Sequence, residues 1–347
     1  MFGATVTATH YGAAMNRLTG LLAAGVVAAA LIPTTAAAAA PAASAAQNPW
    51  LERRVLNIAH QGGEIEAPSD TLYAFETALD KGADVLELDV HATSDGELVI
   101  LHDTTADRTT NGSGRVDALT LAQIRALDAA YWFVPGCGTC HGQDEAAYTF
   151  RGVATGDRPA PAGYTAEDFR IPTLREVLEA FPGVLLNVEI KRTRPETTPY
   201  ERTMADLLAE FGRGTDTVVA SFSDSAVTRF KLYNRDISTS PGTTQATAFW
   251  LNTLGPLTGI TLHGHHALQV PPSQSGIPVV TADFVADAHR RGLAVHVWTI
   301  NDRAEMERLI DLGVDGIMTD RPTLLEDVLQ NRGIGVRPGH NRTLMPS

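Results

Sequence analysis

The sequence predicts an α/β fold, a TIM-type (β/α)8 barrel with an inserted loop region at about 131–170. Short apolar runs alternate with amphipathic helical patterns along most of the chain, which indicates repeated right-handed β-α-β units. Many runs are hydrophobic without interruption, as expected for parallel strands buried on both faces. The 347 residues leave room for one such barrel, which typically takes about 250 residues.

Nine segments are predicted as strands, one more than the barrel needs. Ala267–Pro271 has the weakest pattern, and at least one of the nine is expected to lie outside the barrel. The pair Asp95-Gly96 is typical of a tight turn between two strands, which indicates an irregular return there. In chain order the predicted strands are Val55–His60, Asp84–Val90, Glu97–His102, Val184–Lys191, Thr217–Phe222, Ile237–Ser240, Ala267–Pro271, Leu293–Thr299 and Gly316–Thr319.

Helical periodicity fills the intervals between strands, and several helices end at a glycine, as at Gly82 and Gly292. The clearest helical patterns are Ser69–Lys81, Leu174–Ala180, Tyr200–Phe211, Asp224–Asn234, Ala282–Arg291 and Arg303–Leu312.

Two stretches break the alternation. Residues 131–170 are rich in proline and glycine and show little periodicity, so we interpret them as an insertion and not as a second domain. Pro241–His266 is likewise interpreted as a loop. The barrel domain is expected to cover residues 50–330, and residues 331–347 are expected to form a disordered tail.

Residues 1–46 are predicted to be a secretory signal peptide and a small-residue linker. Arg17 precedes an uncharged apolar stretch that ends near Leu31, and small residues with A-x-A sites follow over Ala36–Ala46. The alternative, an uncleaved membrane anchor, would need a longer apolar span with basic residues after it. We therefore expect a secreted protein with no stable membrane anchor, and Met15 is a second candidate for the start.

Cys137 and Cys140 are the two cysteines of the chain. In an exported protein the C-G-T-C spacing favours a small local disulfide. Free thiols and a metal site are the alternatives; His141 is adjacent, but zinc would need further ligands.

The net charge is −13, from 27 basic and 40 acidic residues. A negative surface repels nucleic acid and anionic lipid headgroups at long range, so neither is an expected partner. A small anionic substrate remains compatible, because local cations in a cleft can override the global charge. The sequence does not indicate an oligomeric state.

Acidic side chains interrupt two of the predicted strands. Glu87 and Asp89, in L-E-L-D-V, are two residues apart and therefore point to one face, and Glu189 and Lys191 repeat this spacing in N-V-E-I-K. Carboxylates that face a barrel interior repel one another and lose hydration, and a bound cation removes that cost. Three carboxylates suit Mg²⁺ or Ca²⁺. Structural ion pairing with Lys191 and an arginine is the alternative.

Two histidines follow predicted strands near these acids, His60 in I-A-H-Q-G-G and His102 in V-I-L-H-D. Either alone would most simply be a hydrogen-bonded core or rim residue. Together with the acids they are a sharper signal of a catalytic site. Hydrolysis of a phosphodiester, for example, takes a proton from the nucleophile and gives one to the leaving alkoxide. The pKa of histidine, near neutrality, suits both steps.

The ordered set of motifs resembles the glycerophosphodiester phosphodiesterase family. One run extends from A-H-Q-G-G through P-S-D-T and L-E-L-D-V-H to L-H-D-T-T-A-D-R-T-T-N-G-S-G; I-P-T-L-R-E-V-L, N-V-E-I-K, V-A-S-F, V-W-T-I-N and G-I-M-T-D-R-P follow. The resemblance covers about residues 55–328. It implies a phospholipase C-like phosphodiesterase architecture on the barrel.

The resemblance also implies a role for each matching residue. His60 and His102 match the two catalytic histidines of the family. Lys191 matches the lysine that contacts phosphate, and Trp298 matches the tryptophan that lines the substrate cleft. The implied ligands of the divalent metal are Glu87, Asp89 and Glu189.

Two motifs depart from the family pattern. The family usually has H-R-G and P-E-N-T, whereas Gln61 replaces the arginine here and Ser69-Asp70 replaces Glu-Asn. The arginine would bind phosphate as a bidentate cation, while glutamine is neutral, although Gln61 is still expected to bind substrate. Glu64 and Glu66 lie between the two motifs, and one of them is a candidate outer metal ligand.

The predicted activity is metal-dependent hydrolysis of a glycerophosphodiester to glycerol 3-phosphate and an alcohol. Because Gln61 is neutral, lysophospholipids or other headgroup diesters are alternative substrates. A lysophospholipase D or a phospholipase C-like lyase is the nearest alternative enzyme. An inactive secreted binding protein is the alternative from another class.

Overall fold

The structure is a computed structural model, and it describes residues 48–191, 199–255, 262 and 264–335. The predicted signal peptide lies outside these ranges, as does the predicted tail beyond Gly335. Within them, every helix is too short or too polar to cross a bilayer.

Eight parallel strands form the barrel, which confirms the predicted fold class. They pair side by side in the order β8-β7-β6-β2-β1-β13-β12-β9. In chain order the strands are β1 (Leu56–Ala59), β2 (Val85–Ala92), β3 (Leu98–Ile100), β4 (Phe133–Val134), β5 (Gly138–Thr139), β6 (Leu185–Ile190), β7 (Thr217–Ala220), β8 (Ser238–Thr239), β9 (Ala267–Val270), β10 (Ser273–Gln274), β11 (Ile277–Pro278), β12 (Ala294–Val297) and β13 (Gly316–Thr319).

Helices pack around the strands, and their apolar faces form two clusters with the outer faces of the barrel. The α-helices are α1 (Leu72–Asp80), α2 (Leu121–Arg125), α3 (Leu174–Ala180), α4 (Glu201–Glu210), α5 (Asp224–Tyr233), α6 (Thr243–Thr253), α7 (Ala282–Arg290), α8 (Arg303–Asp311) and α9 (Pro322–Asn331). Short 3-10 helices span His60–Gly62, Val116–Ala118, Glu145–Ala147 and Ala166–Phe169.

The surplus strand is not the one with the weakest pattern. Ala267–Pro271 supplies β9, which pairs with β12 over four residues of the barrel. Glu97–His102 supplies β3, which pairs antiparallel with the end of β2 outside the barrel. The physical reason is the turn at Asp95-Gly96, because a parallel neighbour would need a crossover of a dozen or more residues.

The interpretation of Pro241–His266 as a loop is wrong in its first half, which forms α6. This helix is rich in β-branched threonine, which weakens the helical signal of the sequence. Tertiary packing compensates, since Phe249 is fully buried and its ring lies 5.4 Å from that of Phe284 on α7.

Residues 131–170 form the insertion between β2 and β6, with the short pair β4 and β5 at its start. Its aromatic residues pack on α1, where Tyr73 stacks on Phe169 at 4.7 Å. Cys137 and Cys140 form a disulfide within it, with Cα atoms 6.2 Å apart. The Gly136 N–H donates to the Ile65 carbonyl at 3.0 Å, so the insertion contacts the loop that follows β1.

Apolar residues fill the lower part of the barrel interior. Trp50, directly before β1, packs there with an edge-to-face contact to His296 at 6.1 Å. His296 is fully buried, and burial lowers its pKa to about 4. The upper part of the interior, at the carboxyl ends of the strands, is polar and holds the candidate site.

Candidate active site

The predicted site residues lie on the inward face of the barrel because of strand alternation. On β1, a step of two from the inward-facing Ile58 reaches His60. On β2, the same step from Val85 reaches Glu87 and then Asp89. The same parity on or directly after the other strands leads to Glu189, Lys191, Trp298 and Asp320.

Glu87, Asp89 and Glu189 form a candidate metal centre. Each offers a carboxylate oxygen, and these oxygens lie within 4.8 Å of one another. The register of β2 and β6 places Asp89 directly beside Glu189. Lys191 Nζ lies 3.0 Å from Asp89 Oδ1 and 3.3 Å from Glu189 Oε2, so the ion pairing predicted as the alternative is also present.

Lys191 alone does not balance these charges. Burial, reinforced by the Asp89 carboxylate, raises the pKa of Glu87 to about 8. Burial opposes the ionisation of Asp89, but Lys191 and the two histidines outweigh it and hold its pKa below the ordinary value. A divalent cation with oxygen ligands fits this donor set, because it would supply the missing positive charge.

His60 and His102 come together at the mouth of the barrel, with ring centroids 5.8 Å apart. His60 Nδ1 lies 2.6 Å from Asp320 Oδ1, and His102 Nδ1 lies 2.9 Å from Asp103 Oδ1. A carboxylate on Nδ1 fixes the orientation of the ring and assigns proton exchange with a reactant to Nε2.

The pKa of His60 reflects these neighbours. Burial by itself would lower it, but the Asp320 carboxylate, with Glu87 and Asp89, outweighs burial and raises the pKa to about 10. A divalent cation on Glu87 and Asp89 would compensate their charges and bring the pKa of His60 back toward neutrality.

Gln61 is buried, and its carboxamide is engaged inside the protein. Oε1 accepts hydrogen bonds from Ser69 Oγ at 2.5 Å and from Arg108 Nη2 at 3.2 Å, and Nε2 lies 3.2 Å from His60 Nε2. The backbone N–H of Gln61 donates to Glu87 Oε2 at 2.9 Å. These contacts make Gln61 a support for the site, and its contact with substrate stays a prediction.

The two extra acids have separate positions. Glu64 is ion-paired with Arg108 and is grouped with His60 and Asp320, close enough for an outer position in the site. Glu66 instead accepts from the Thr323 N–H at 3.2 Å, at the start of α9. Glu66 therefore caps the start of α9, and it does not belong to the cluster of Glu87, Asp89 and Glu189.

Trp298 follows β12 at the mouth of the barrel and is partly exposed. Its ring meets that of Phe222 edge-to-face at 5.5 Å, and Phe222 is 50% exposed. The predicted cleft-lining tryptophan therefore belongs to an aromatic pair beside the site.

Sequence reasoning missed the groups that support the histidines. Asp103 follows His102 directly, and Asp320 follows β13 at the same level as His60, so strand-end position was an available signal. Arg108 lies in the loop after β3, and its contacts with Asp103 and Glu64 had no signal in spacing.

Asp70 is a fourth buried carboxylate near the site. Its φ is +58°, and both of its side-chain oxygens are buried without a hydrogen-bond partner in the described residues. Burial, with added repulsion from Asp89 and Glu87, raises its pKa well above the ordinary value. An aspartate stands here where the family usually has asparagine. It therefore adds a fourth carboxyl group to the site, and this group keeps its proton to a higher pH than usual.

Comparison with known proteins finds relatives that are named as phosphodiesterases or lysophospholipases. The description of the matching family is "Glycerophosphoryl diester phosphodiesterase family", and the match covers residues 60–324. A glycerophosphodiester phosphodiesterase of Bacillus subtilis (strain 168) is 30% identical over 284 residues, which are 79% of this chain and 86% of that protein. A lysophospholipase D of Homo sapiens is 27% identical over 300 residues, 79% of this chain and 86% of that protein.

The fold has solved counterparts. The crystal structure of a glycerophosphodiester phosphodiesterase from Agrobacterium tumefaciens str. C58 matches with a TM-score of 0.58 and 25% identity. The match covers 79% of this chain and 99% of that one.

Proposed function

Because this chain belongs to the glycerophosphoryl diester phosphodiesterase family, we propose that it hydrolyses glycerophosphodiesters to glycerol 3-phosphate and an alcohol, with His60 and His102 as its acid–base pair. Family membership makes it a phosphoric diester hydrolase. The observation that carries the finer proposal is the position of two carboxylate-anchored histidines beside three clustered carboxylates at the mouth of one barrel.

Glu87, Asp89 and Glu189 would hold the divalent cation, Mg²⁺ or Ca²⁺. When bound, the metal polarises a phosphoryl oxygen and offsets the charge of the transition state. Lys191 already contacts two of the three carboxylates, so its ammonium is in place to contact the phosphate of a bound diester.

The two histidines divide the acid and base steps of the hydrolysis between them. One takes the proton from water, or from a neighbouring hydroxyl of the substrate, and the other gives a proton to the leaving oxygen. Asp320 and Asp103 hold Nδ1 of His60 and His102 respectively, which leaves proton exchange with the reactants to Nε2 of each ring.

A lysophospholipase D activity is the second candidate. It is supported by the human relative of that name and by the exposed aromatic pair Phe222 and Trp298, which offers an apolar surface beside the site. An acyl chain on the substrate could rest on this surface, whereas glycerophosphocholine has no chain to place there.

We also propose that the mature protein lies outside the cytoplasm. The N-terminal sequence has the organisation of a signal peptide, and the Cys137–Cys140 disulfide suits an oxidising compartment. N-terminal sequencing of protein from culture medium and cell fractions should find a start near residue 46; full-length protein in the cytosol would contradict export.

The function is tested on glycerophosphocholine and lysophosphatidylcholine, with Mg²⁺ and Ca²⁺ supplied separately. Glycerol 3-phosphate or lysophosphatidate is expected by mass spectrometry, and EDTA or His60→Ala should reduce turnover at least about 100-fold, as expected for loss of a general acid or base. A cyclic phosphate product would indicate the lyase. No turnover of either diester with metal present would leave the binding-protein alternative.

A further inference from the structure

Residues 61 and 69 depart from the family pattern together, and the structure shows that they are in contact. Ser69 Oγ donates to Gln61 Oε1 at 2.5 Å. An arginine at 61 and a glutamate at 69 would therefore face each other as an ion pair. Their replacement by glutamine and serine removes one positive and one negative charge at once, so these two substitutions together leave the formal charge unchanged.

This exchange leaves the histidine side of the site without the cation that arginine at position 61 would supply. A divalent cation and Lys191 together carry three positive charges, which Glu87, Asp89 and Glu189 cancel. A phosphodiester brings a further negative charge. Hydrogen-bond donors with positive charge are therefore still needed where the phosphate binds.

Arg108 lies between the two histidine networks. Its Nη2 donates to Gln61 Oε1 at 3.2 Å, and Gln61 contacts His60. Its Nε donates to Asp103, which contacts His102, and its Nη1 donates to Glu64. Three sides of the guanidinium are thus held in place by groups that also hold the site.

The guanidinium retains donors for a ligand. An arginine has five N–H groups, and Arg108 uses three of them in these contacts. Nη1 and Nη2 each keep one N–H without a partner in the described residues. The side chain is 32% exposed, so part of it is open to solvent.

We propose that Arg108 supplies the cationic phosphate contact that residue 61 no longer makes, donating to a non-bridging oxygen of the diester. Gln61 is then a positioning residue that holds Nη2 of Arg108 through its carbonyl oxygen. This inference rests on the proposed function for the substrate, but it concerns phosphate binding, which can be measured without turnover.

The test is calorimetric binding of sn-glycerol 3-phosphate to the metal-loaded protein. Arg108→Gln should weaken the affinity about tenfold, corresponding to the loss of one charge-assisted contact. Arg108→Lys keeps the charge but loses the planar guanidinium group. Its affinity for sn-glycerol 3-phosphate should lie between those of the unaltered protein and Arg108→Gln. The KM for glycerophosphocholine should rise in parallel, with the affinity for Mg²⁺ or Ca²⁺ unchanged.

Arg115→Gln is the matched control, because the exposed Arg115 lies in the same loop and pairs with Asp117. It should bind glycerol 3-phosphate as the unaltered protein does. Gln61→Arg with Ser69→Glu, introduced together into Arg108→Gln, should restore the affinity to within about threefold, since the cation returns by the other route. Melting temperatures verify that each variant is folded.

An affinity that is unchanged in Arg108→Gln would overturn the proposal, and so would an equal loss in Arg115→Gln. Loss in Arg108→Gln without restoration by the double substitution would also overturn it, because residues 61 and 108 would then not share a role. Arg108-dependent binding in a protein that turns over no diester would reject the proposed function and leave this inference standing.

Discussion

At the scale of single residues, the pKa of His60 is set by burial and by the carboxylates around the ring. Burial favours the neutral ring, but Asp320 at 2.6 Å, together with Glu87 and Asp89, outweighs it and raises the pKa to about 10. His60 and Asp320 are far apart in sequence and meet only because β1 and β13 are neighbours in the barrel.

Asp320→Asn should lower the pKa of His60, because the neutral amide no longer stabilises the imidazolium. If His60 is the base, the acid limb of the kcat/KM profile moves to lower pH; if it is the acid, the alkaline limb moves to lower pH. We expect kcat to fall at least about tenfold as the ring loses its anchor. The pH dependence of kcat/KM measures the shift and identifies the role of His60.

Asp315→Asn is the control, since Asp315 pairs with His289 at 2.8 Å at the opposite end of β13. It removes an Asp–His contact of similar geometry far from the site. Its pH profile should match that of the unaltered protein, and unmoved limbs in Asp320→Asn would show that Asp320 does not control His60.

Individual residues differ in how far they could be predicted. Glu87 and Asp89 were predictable because acids at even spacing in an apolar strand leave few structural explanations. Asp320 and Arg108 were not, because their roles depend on contacts with residues distant in sequence. Gln61 was expected to contact substrate, but its burial by Ser69 and Arg108 is a property of the folded loop.

At the scale of elements, β2 places two carboxylates in the barrel interior. It places Glu87 and Asp89 on the interior face, with Glu189 next to them on β6. An apolar pair at these positions would stabilise the strand better, so the acids are retained at a cost to stability. A bound divalent cation would offset that cost.

Without metal, the free energy of unfolding should decrease as pH rises from about 4.5 to about 8. Glu87 is ionised above about 4.5 when unfolded but stays protonated to about 8 when folded, so the folded state binds more protons in this window. Urea unfolding in EDTA at pH 5.5 and pH 8 measures the difference. Glu87→Gln should make the decline shallower, and the part that remains comes from the raised pKa values of Asp70 and His60.

Saturating Mg²⁺ or Ca²⁺ should remove the decline, adding about 2.7 kcal/mol at a metal concentration 100 times its Kd. Glu210→Gln is the control, because Glu210 is exposed and pairs with Arg175, which lowers its pKa below this window. It should leave the pH dependence unchanged. A flat profile in the metal-free protein would show that Glu87 ionises normally.

At the scale of the whole molecule, the barrel has its weakest strand pairing between β8 and β9. No strand ladder joins them in the described residues, where the His266 N–H donates to the Thr239 carbonyl at 2.9 Å. β8 has only two residues, and two leucines are exposed nearby, Leu251 on α6 and Leu254 directly after it. The opposite wall, by contrast, pairs β2 with β6 over six residues.

Local opening should therefore begin at this edge. In hydrogen exchange followed by mass spectrometry, peptides covering β8 and β9 should exchange about 100-fold faster than those covering β2 and β6, as expected for a segment with low local stability. Uniform protection around the barrel would show that the edge is as stable as the rest.

By itself, the sequence determined the α/β barrel, the acids of β2 and β6, and the two histidines, because these depend on local periodicity, strand parity and motifs. Only the tertiary structure decided that β3 lies outside the barrel while β9 belongs to it, since hydrogen-bond partners are chosen in space. It also decided that Asp320 anchors His60 and that Arg108 contacts both Gln61 beside His60 and Asp103 beside His102. Charges interact across distances of a few ångströms, and only folding brings residues from distant parts of the chain that close.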